Sequence, residues 1–227
     1  DVFVFQKRKE LSKYFKRNKK TPKFLVPAAS IEAIFEQGTV ILISYLFLNE
    51  IAGYFSLSWR IILVPMAVIS YSVSLVYFQK LSELKNEGKD FSREQIIGWR
   101  NLAIFVIPLG IILFFFVEDL IKIILGDQWR YSGEIIKYLI PIMVIRFISA
   151  PTTMIYIVLK RLHYNLIFAS IGLIARFGSI IYGYINDDFL LGVKIWVLLE
   201  CTYVVVYCLL GYKLSREYPN KIKGAFN

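Results

Sequence analysis

The chain has 227 residues, 57% of them hydrophobic, and a formal net charge of +10 at pH 7. In a soluble protein that charge would point to nucleic acid. Here it lies in clusters between long apolar runs, which sets nucleic acid aside as a partner and points to a membrane. The two cysteines, Cys201 and Cys208, and the single histidine, His163, form no disulfide framework and no metal-ligand spacing.

Six apolar runs span residues 25–48, 56–79, 100–117, 134–158, 164–184 and 190–212. Each approaches or exceeds the ~20 residues that cross a hydrocarbon core of about 30 Å. None shows the alternation of a strand, and in lipid the backbone must satisfy its own hydrogen bonds, so the expected fold is all-α and polytopic. Residues 24–212 are expected to form one six-helix unit, preceded by a basic segment, 1–23, and followed by a cytoplasmic tail, 213–227.

The opening "DVFVF" has the character of the end of an apolar segment, and the chain is expected to be a fragment cut at the exit of an earlier membrane helix. Gln6 to Lys23 holds nine basic residues and only Glu10 as an acid. It reads either as an amphipathic helix on an anionic leaflet, with Leu11, Tyr14 and Phe15 on its apolar edge, or as a basic cytoplasmic loop. In the first helix Glu32 and Glu36 are one turn apart and share a face. Their mutual repulsion suits a carboxyl that takes up and releases protons; the alternative is pairing with nearby arginines.

The second helix carries Arg60, expected ~6 Å from its outer end, and Pro65 near its middle. The following stretch, "KLSELKNEGKDFSREQ", is expected to be helical at both ends with a break at Asn86 and Gly88. Pro108 and Gly110 loosen the third helix. Beyond it, Leu120 to Leu125 is expected as a short interfacial helix, with Trp129 and Tyr131 at headgroup level. Pro141 and Pro151 are expected to break the fourth run on either side of Arg146. In the fifth, Ala175, Ser179 and Gly183 form a small-residue face suited to close helix contact. Arg176, on the same helix, is expected to form a structural ion pair with Glu200 of the sixth.

Basic residues follow the same division. Nine lie between Lys7 and Lys23, five between Lys80 and Arg100, two at Lys160 and Arg161, and four from Lys213 to Lys223; the opposite loops hold only Lys122 and Arg130. The positive-inside rule then places both ends of the segment in the cytoplasm. Charges inside spanning helices are costly and mark function. Among them Arg146 stands out, because a guanidinium stays charged and grips phosphate through paired hydrogen bonds.

The stretches "IAGYFSLSWRIILVPMAVISYSVSLVYFQKLSE" and "IILGDQWRYSGEIIKYLIPIMVIRFISAPTTMIYIVLKR" together resemble the C-terminal half of Wzx-type polysaccharide flippases of the multidrug/oligosaccharidyl-lipid/polysaccharide (MOP) exporter superfamily. The features that match are Gly53-Tyr54, Arg60 five residues before Pro65, the turn Gly126 to Trp129, and Pro141, Arg146 and Pro151. The resemblance implies a two-lobe, pseudo-symmetric transporter with a cationic cavity, of which this chain supplies helices seven to twelve. It implies movement of undecaprenyl-diphosphate-linked oligosaccharides across the cytoplasmic membrane for O-antigen, lipopolysaccharide or capsule synthesis. Implied partners are that lipid-linked substrate, membrane lipids, an N-terminal lobe and polysaccharide polymerase machinery. No bond chemistry and no cofactor are implied. On this map Glu36, Arg60 and Arg146 are cavity-lining candidates, with Arg60 and Arg146 as headgroup ligands, Glu32 and Glu36 as ion-coupling groups, and Arg176 and Glu200 further back.

Two other readings compete. A multidrug/cation antiporter would share the fold but favours carboxylates over arginine in its cavity. A membrane-embedded glycosyltransferase or polymerase needs outer acidic residues, for which only Asp187-Asp188 and Glu118-Asp119 qualify. The expected topology is testable by cysteine accessibility in a background lacking Cys201 and Cys208. Single cysteines at Asn49, Asp127 and Asp187 should react with an impermeant reagent from outside the cell and one at Gly88 only from inside; any other pattern overturns the topology.

Overall fold

The computed structural model describes residues 20–223, and among them the regular elements are all helical. They are α1 (Lys20–Leu46), α2 (Asn49–Asn86), α3 (Ser92–Leu125), a single 3-10 turn (Asp127–Trp129), α4 (Arg130–Val158), α5 (His163–Ile185) and α6 (Phe189–Lys223). Each of the six helices contains a stretch long and apolar enough to cross a membrane. The chain is therefore a multi-pass membrane protein. Of the segment Gln6 to Lys23, to which both readings apply, the residues up to Lys19 lie outside the described ones, and Lys20 to Lys23 begin α1.

Several helices run past their apolar cores. With 38 residues, α2 is about 57 Å long and cannot fit within the hydrocarbon. It ends where Gly88 takes a left-handed turn, φ +66°, and Lys89 N donates back to the Leu84 carbonyl at 2.9 Å. Asp90 then fixes the turn into α3, accepting from Ser92 N at 2.7 Å and Ser92 Oγ at 2.6 Å. These are the helical ends and the break expected around Asn86 and Gly88.

The separate interfacial helix expected over Leu120 to Leu125 does not form. No breaker stands between Phe116 and Leu125, so α3 continues through the segment until Gly126, φ +96°, stops it. Pro141 and Pro151 likewise lie inside an unbroken α4. Neighbouring helices hold its two faces, and that packing tolerates the missing donors.

α4 is the central helix. It packs on α3, α2 and α6, while α1 leans on α5 and α2, and α5 on α6. Ser58 Oγ donates to the Ser132 carbonyl at 2.9 Å and Ser132 Oγ to the Tyr54 carbonyl at 3.2 Å, joining α2 to α4 through hydroxyl-to-backbone bonds. At one end, aromatic rings tie the turns together: Phe47 meets Phe189 at 5.3 Å, and Tyr54 meets Trp129 at 5.8 Å and Tyr131 at 5.5 Å. At the other, basic end, Leu81, Phe91, Ile155 and Val158 form a second small core, with Tyr218 on Phe91 at 5.0 Å.

The small-residue face of α5 meets α6. A Cβ on Gly183 would fall 2.8 Å from the Gly192 Cα and the Asp188 carbonyl, whereas one on Gly178 would meet nothing within 4 Å. Thermal unfolding in detergent should therefore separate two alanine substitutions. Gly183→Ala is expected to cost ~1–3 kcal/mol by overpacking. Gly178→Ala should gain up to about 1 kcal/mol from helix propensity, and equal effects would deny the close approach.

Candidate functional site

A cavity of about 520 Å³ opens among α1, α2, α4, α5 and α6. Its size falls within the ~300–1,000 Å³ of ligand pockets. α3 contributes nothing to its wall, whereas α5 and α6, whose Arg176 and Glu200 the family resemblance sets further back, both do. Two charged side chains line it, Arg146 and Glu32, amid aromatic and hydroxyl groups that include Phe35, Phe168, Tyr203 and Tyr207.

Arg146 owes its place to α4, which buries Ile142, Met143 and Phe147 on one face and turns the guanidinium toward the cavity. Its Nε donates to Glu200 Oε1. Nη1 lies 3.9 Å from Glu32 Oε1, and the guanidinium carbon is 5.2 Å from the Phe35 ring centre. The Arg146 side chain is 23% exposed and that of Glu200 is 0% exposed. The second Glu200 oxygen accepts from Trp196 Nε1 at 2.5 Å, one turn back along α6. Both carboxylate oxygens are thus satisfied, one by a cation and one by an indole, which is what a charge this deep requires.

Further along the wall, Tyr207 Oη donates toward Asn165 Oδ1 at 3.0 Å and Thr153 Oγ1 at 3.2 Å. Ser149 Oγ donates to the Arg146 carbonyl at 2.8 Å. Aromatic faces beside hydroxyl and amide groups give this wall both apolar and hydrogen-bonding surfaces. Nothing in the runs of the sequence singled out Phe35, Asn165, Tyr203 or Tyr207. The one available signal was the four-residue spacing of Trp196 and Glu200, which places an N–H donor beside a carboxylate.

The expected pair of Arg176 and Glu200 is not formed. Glu200 belongs to Arg146, because α4 lies against α6 with Arg146 at the level of Glu200. Arg176 is fully enclosed behind Phe35. Its guanidinium carbon is 4.1 Å from the ring centre of Phe35, 4.2 Å from that of Trp59 and 4.1 Å from that of Trp196. Its three nitrogens and Trp59 Nε1 have no hydrogen-bond partner, the only such buried side-chain atoms among the described residues.

The other expected site residues are sorted by the same geometry. Glu32 faces the cavity and Arg146, whereas Glu36, one turn on, does not line the wall. Arg60 does not line it either; its neighbour Trp59 is buried and Arg60 itself is exposed. Because α2 begins at Asn49, Arg60 lies about 16 Å along the helix rather than one turn inside. Glu118 sits within α3 and pairs with Lys137 at 2.9 Å, and Asp188 caps α6 by accepting from Leu191 N at 2.9 Å. Among the described residues no cluster of His, Cys, Asp or Glu has the makings of a metal site.

A family model described as polysaccharide biosynthesis protein matches residues 7–134, more than half of the chain. The chain belongs to that polysaccharide biosynthesis family. The match takes in α1 to α3 and the first residues of α4, so Glu32, Phe35 and Trp59 fall inside it and Arg146, Arg176 and Glu200 beyond it. Neither a curated protein nor a solved structure matches the chain. Membership fits a role in polysaccharide biosynthesis for a membrane protein with this cavity.

The bond from Trp196 to Glu200 can be weighed in this polysaccharide biosynthesis protein by a double-mutant cycle of Trp196→Phe and Glu200→Leu, read by thermal unfolding. A hydrogen bond to a charged group predicts a coupling of ~1.5–3 kcal/mol. A coupling near zero would mean that the indole serves only as packing.

Proposed function

We propose that this membrane protein flips lipid-linked oligosaccharide units from the cytoplasmic to the outer leaflet of the cell membrane, as a Wzx-type flippase of the MOP superfamily. The observation that carries the reading is Arg146, the sole cation on the cavity wall among the described residues. A guanidinium at membrane depth, partly open to a cavity, is suited to a phosphate or diphosphate headgroup. The hydroxyl, amide and aromatic groups of Thr153, Asn165, Phe168 and Tyr207 offer hydrogen bonds and apolar faces to sugar rings. Family membership supports a place in polysaccharide biosynthesis, and translocation uses such a cavity without making or breaking a bond. The cavity would open toward a second lobe, with the basic ends of the helices in the cytoplasm.

Glu32 then acts at the rim as the competing carboxylate, 3.9 Å from Arg146, and is the coupling candidate that this geometry favours over Glu36. A drug or cation antiporter would need the cavity's charge to be negative, and Arg146 opposes that.

The test is complementation. The full-length protein is expressed in cells lacking their own O-antigen or capsule flippase, and surface polysaccharide is measured. The variant Arg146→Gln with Glu200→Gln removes charge and counter-charge together, so no buried ion is left alone. Wild type should restore export, and the double variant, inserted at normal levels, should lower it about tenfold or more. Normal export by the double variant would remove Arg146 from the headgroup site, and no restoration by wild type would favour the antiporter.

A further inference from the structure

Two guanidiniums, on α4 and α5, stand near one enclosed carboxylate on α6. Arg146 holds Glu200 now, and Arg176 holds no acceptor at all. Cation–π contact with four rings, Phe55 at 5.5 Å being the fourth, softens the isolation of Arg176, but the weak N–H···π contact that a ring offers does not replace an oxygen acceptor for its five N–H donors. An enclosed charge in that condition is poised to take an anion.

The carboxylates that act on Arg176 through space are Glu200 and Glu36. Glu200 is the one with no route to water, and Trp196 joins it to Arg176: the indole N–H holds Glu200 Oε2 at 2.5 Å while the ring lies 4.1 Å from the Arg176 carbon. Phe35 in turn separates the two cations, 5.2 Å from Arg146 and 4.1 Å from Arg176. Of the two cations only Arg146 lines the cavity. An anion arriving there must compete with Glu200 for the guanidinium and repel it at short range.

We infer that Arg176 is the second seat of the Glu200 carboxylate: when a phosphate or diphosphate ester takes Arg146, Glu200 turns about its side-chain bonds and pairs with Arg176. The inference rests on the headgroup reading of Arg146. Arg176 is a positioning residue that never touches the ligand. It lowers the cost of ligand binding by receiving the displaced carboxylate, and the exchange moves an ion pair from the joint of α4 with α6 to the joint of α5 with α6. Occupancy of the cavity is thereby transmitted to the packing of three helices.

One arm of the test needs no ligand. In the full-length protein in nanodiscs, Arg176→Met should leave the melting temperature unchanged or raise it, because it removes an unpaired enclosed cation. In an Arg146→Gln background Glu200 has only the second seat, and the same Arg176→Met should lower the melting temperature, by ~5 °C or more. The same sign in both backgrounds, or an Arg146→Gln protein that fails to fold while Arg176 is intact, overturns the exchange.

The second arm titrates undecaprenyl diphosphate and reads binding by thermophoresis. Arg176→Met should weaken binding about 10- to 100-fold. Glu200→Gln should tighten it, and Arg176→Met should have no further effect once Glu200→Gln is present. Equal weakening with and without Glu200→Gln overturns the inference, as does no weakening at all. If the wild type does not bind the probe while the melting temperatures reverse sign, the headgroup reading falls and the two-seat exchange stands. If it binds and they do not reverse, the exchange falls and the headgroup reading stands.

Discussion

A carboxylate sealed from water inside an apolar bundle must be matched by donors fixed in place, and Glu200 imposes that constraint on the whole bundle. Its two oxygens are met by Arg146 and by Trp196, so α4 cannot rotate or slide against α6 without stranding a charge. The Trp196 ring that serves Glu200 also lies against Trp59 of α2 at 5.4 Å and Phe35 of α1 at 6.3 Å between ring centres. The registers of four helices are thus referred to one carboxyl group. Apolar packing alone would fix them loosely, since lipid tails compete equally well for Leu and Ile.

The same arrangement shapes the cavity. Phe35 is both its wall and the face of a cation-bearing cluster behind it. The small-residue contacts, Gly183 on Gly192 in α5 and α6 and Ser58 on Ser132 in α2 and α4, draw the helices together elsewhere. At the basic end a separate polar group closes the bundle: Thr152 Oγ1 accepts from Gln95 Nε2 at 3.3 Å and Trp99 Nε1 at 3.1 Å, and Ser215 Oγ donates to Gln95 Oε1 at 3.2 Å. Between these tight ends the cavity lies open at the level of Arg146, its wall largely apolar with a few charged, hydroxyl and amide groups.

Much of the fold was legible in the residues. Apolar run length alone located six helices, the Gly88 break was marked by its sequence, and the α5 small-residue face found its partner. The proline signal was misleading, since Pro141 and Pro151 remain within α4. The polar ends of α2 and α3 around Gly88 were legible, but the extent of α6 was not, because it continues as a polar helix to Lys223 beyond its apolar core and hydropathy is blind to that continuation. Of the site, Arg146 and Glu32 face the cavity together, while Arg60 and Glu36 do not. The aromatic and amide groups around them carried no distinguishing pattern, since in an apolar helix a Phe or Tyr on the lipid side reads the same as one on a cavity.

The sequence by itself determined that the chain is helical, that among the described residues six helices are long and apolar enough to cross a membrane, and where the basic residues cluster. These follow from local requirements: internally satisfied backbone bonds, a fixed rise per residue and the charge of each loop. Only the tertiary structure decided that Glu200 belongs to Arg146, 54 residues away, and that Arg176 is left among rings. That choice depends on how each helix is rotated about its own axis and how deep it sits against its neighbours. Those degrees of freedom are set by side-chain packing between helices, and no periodicity within a single run records them.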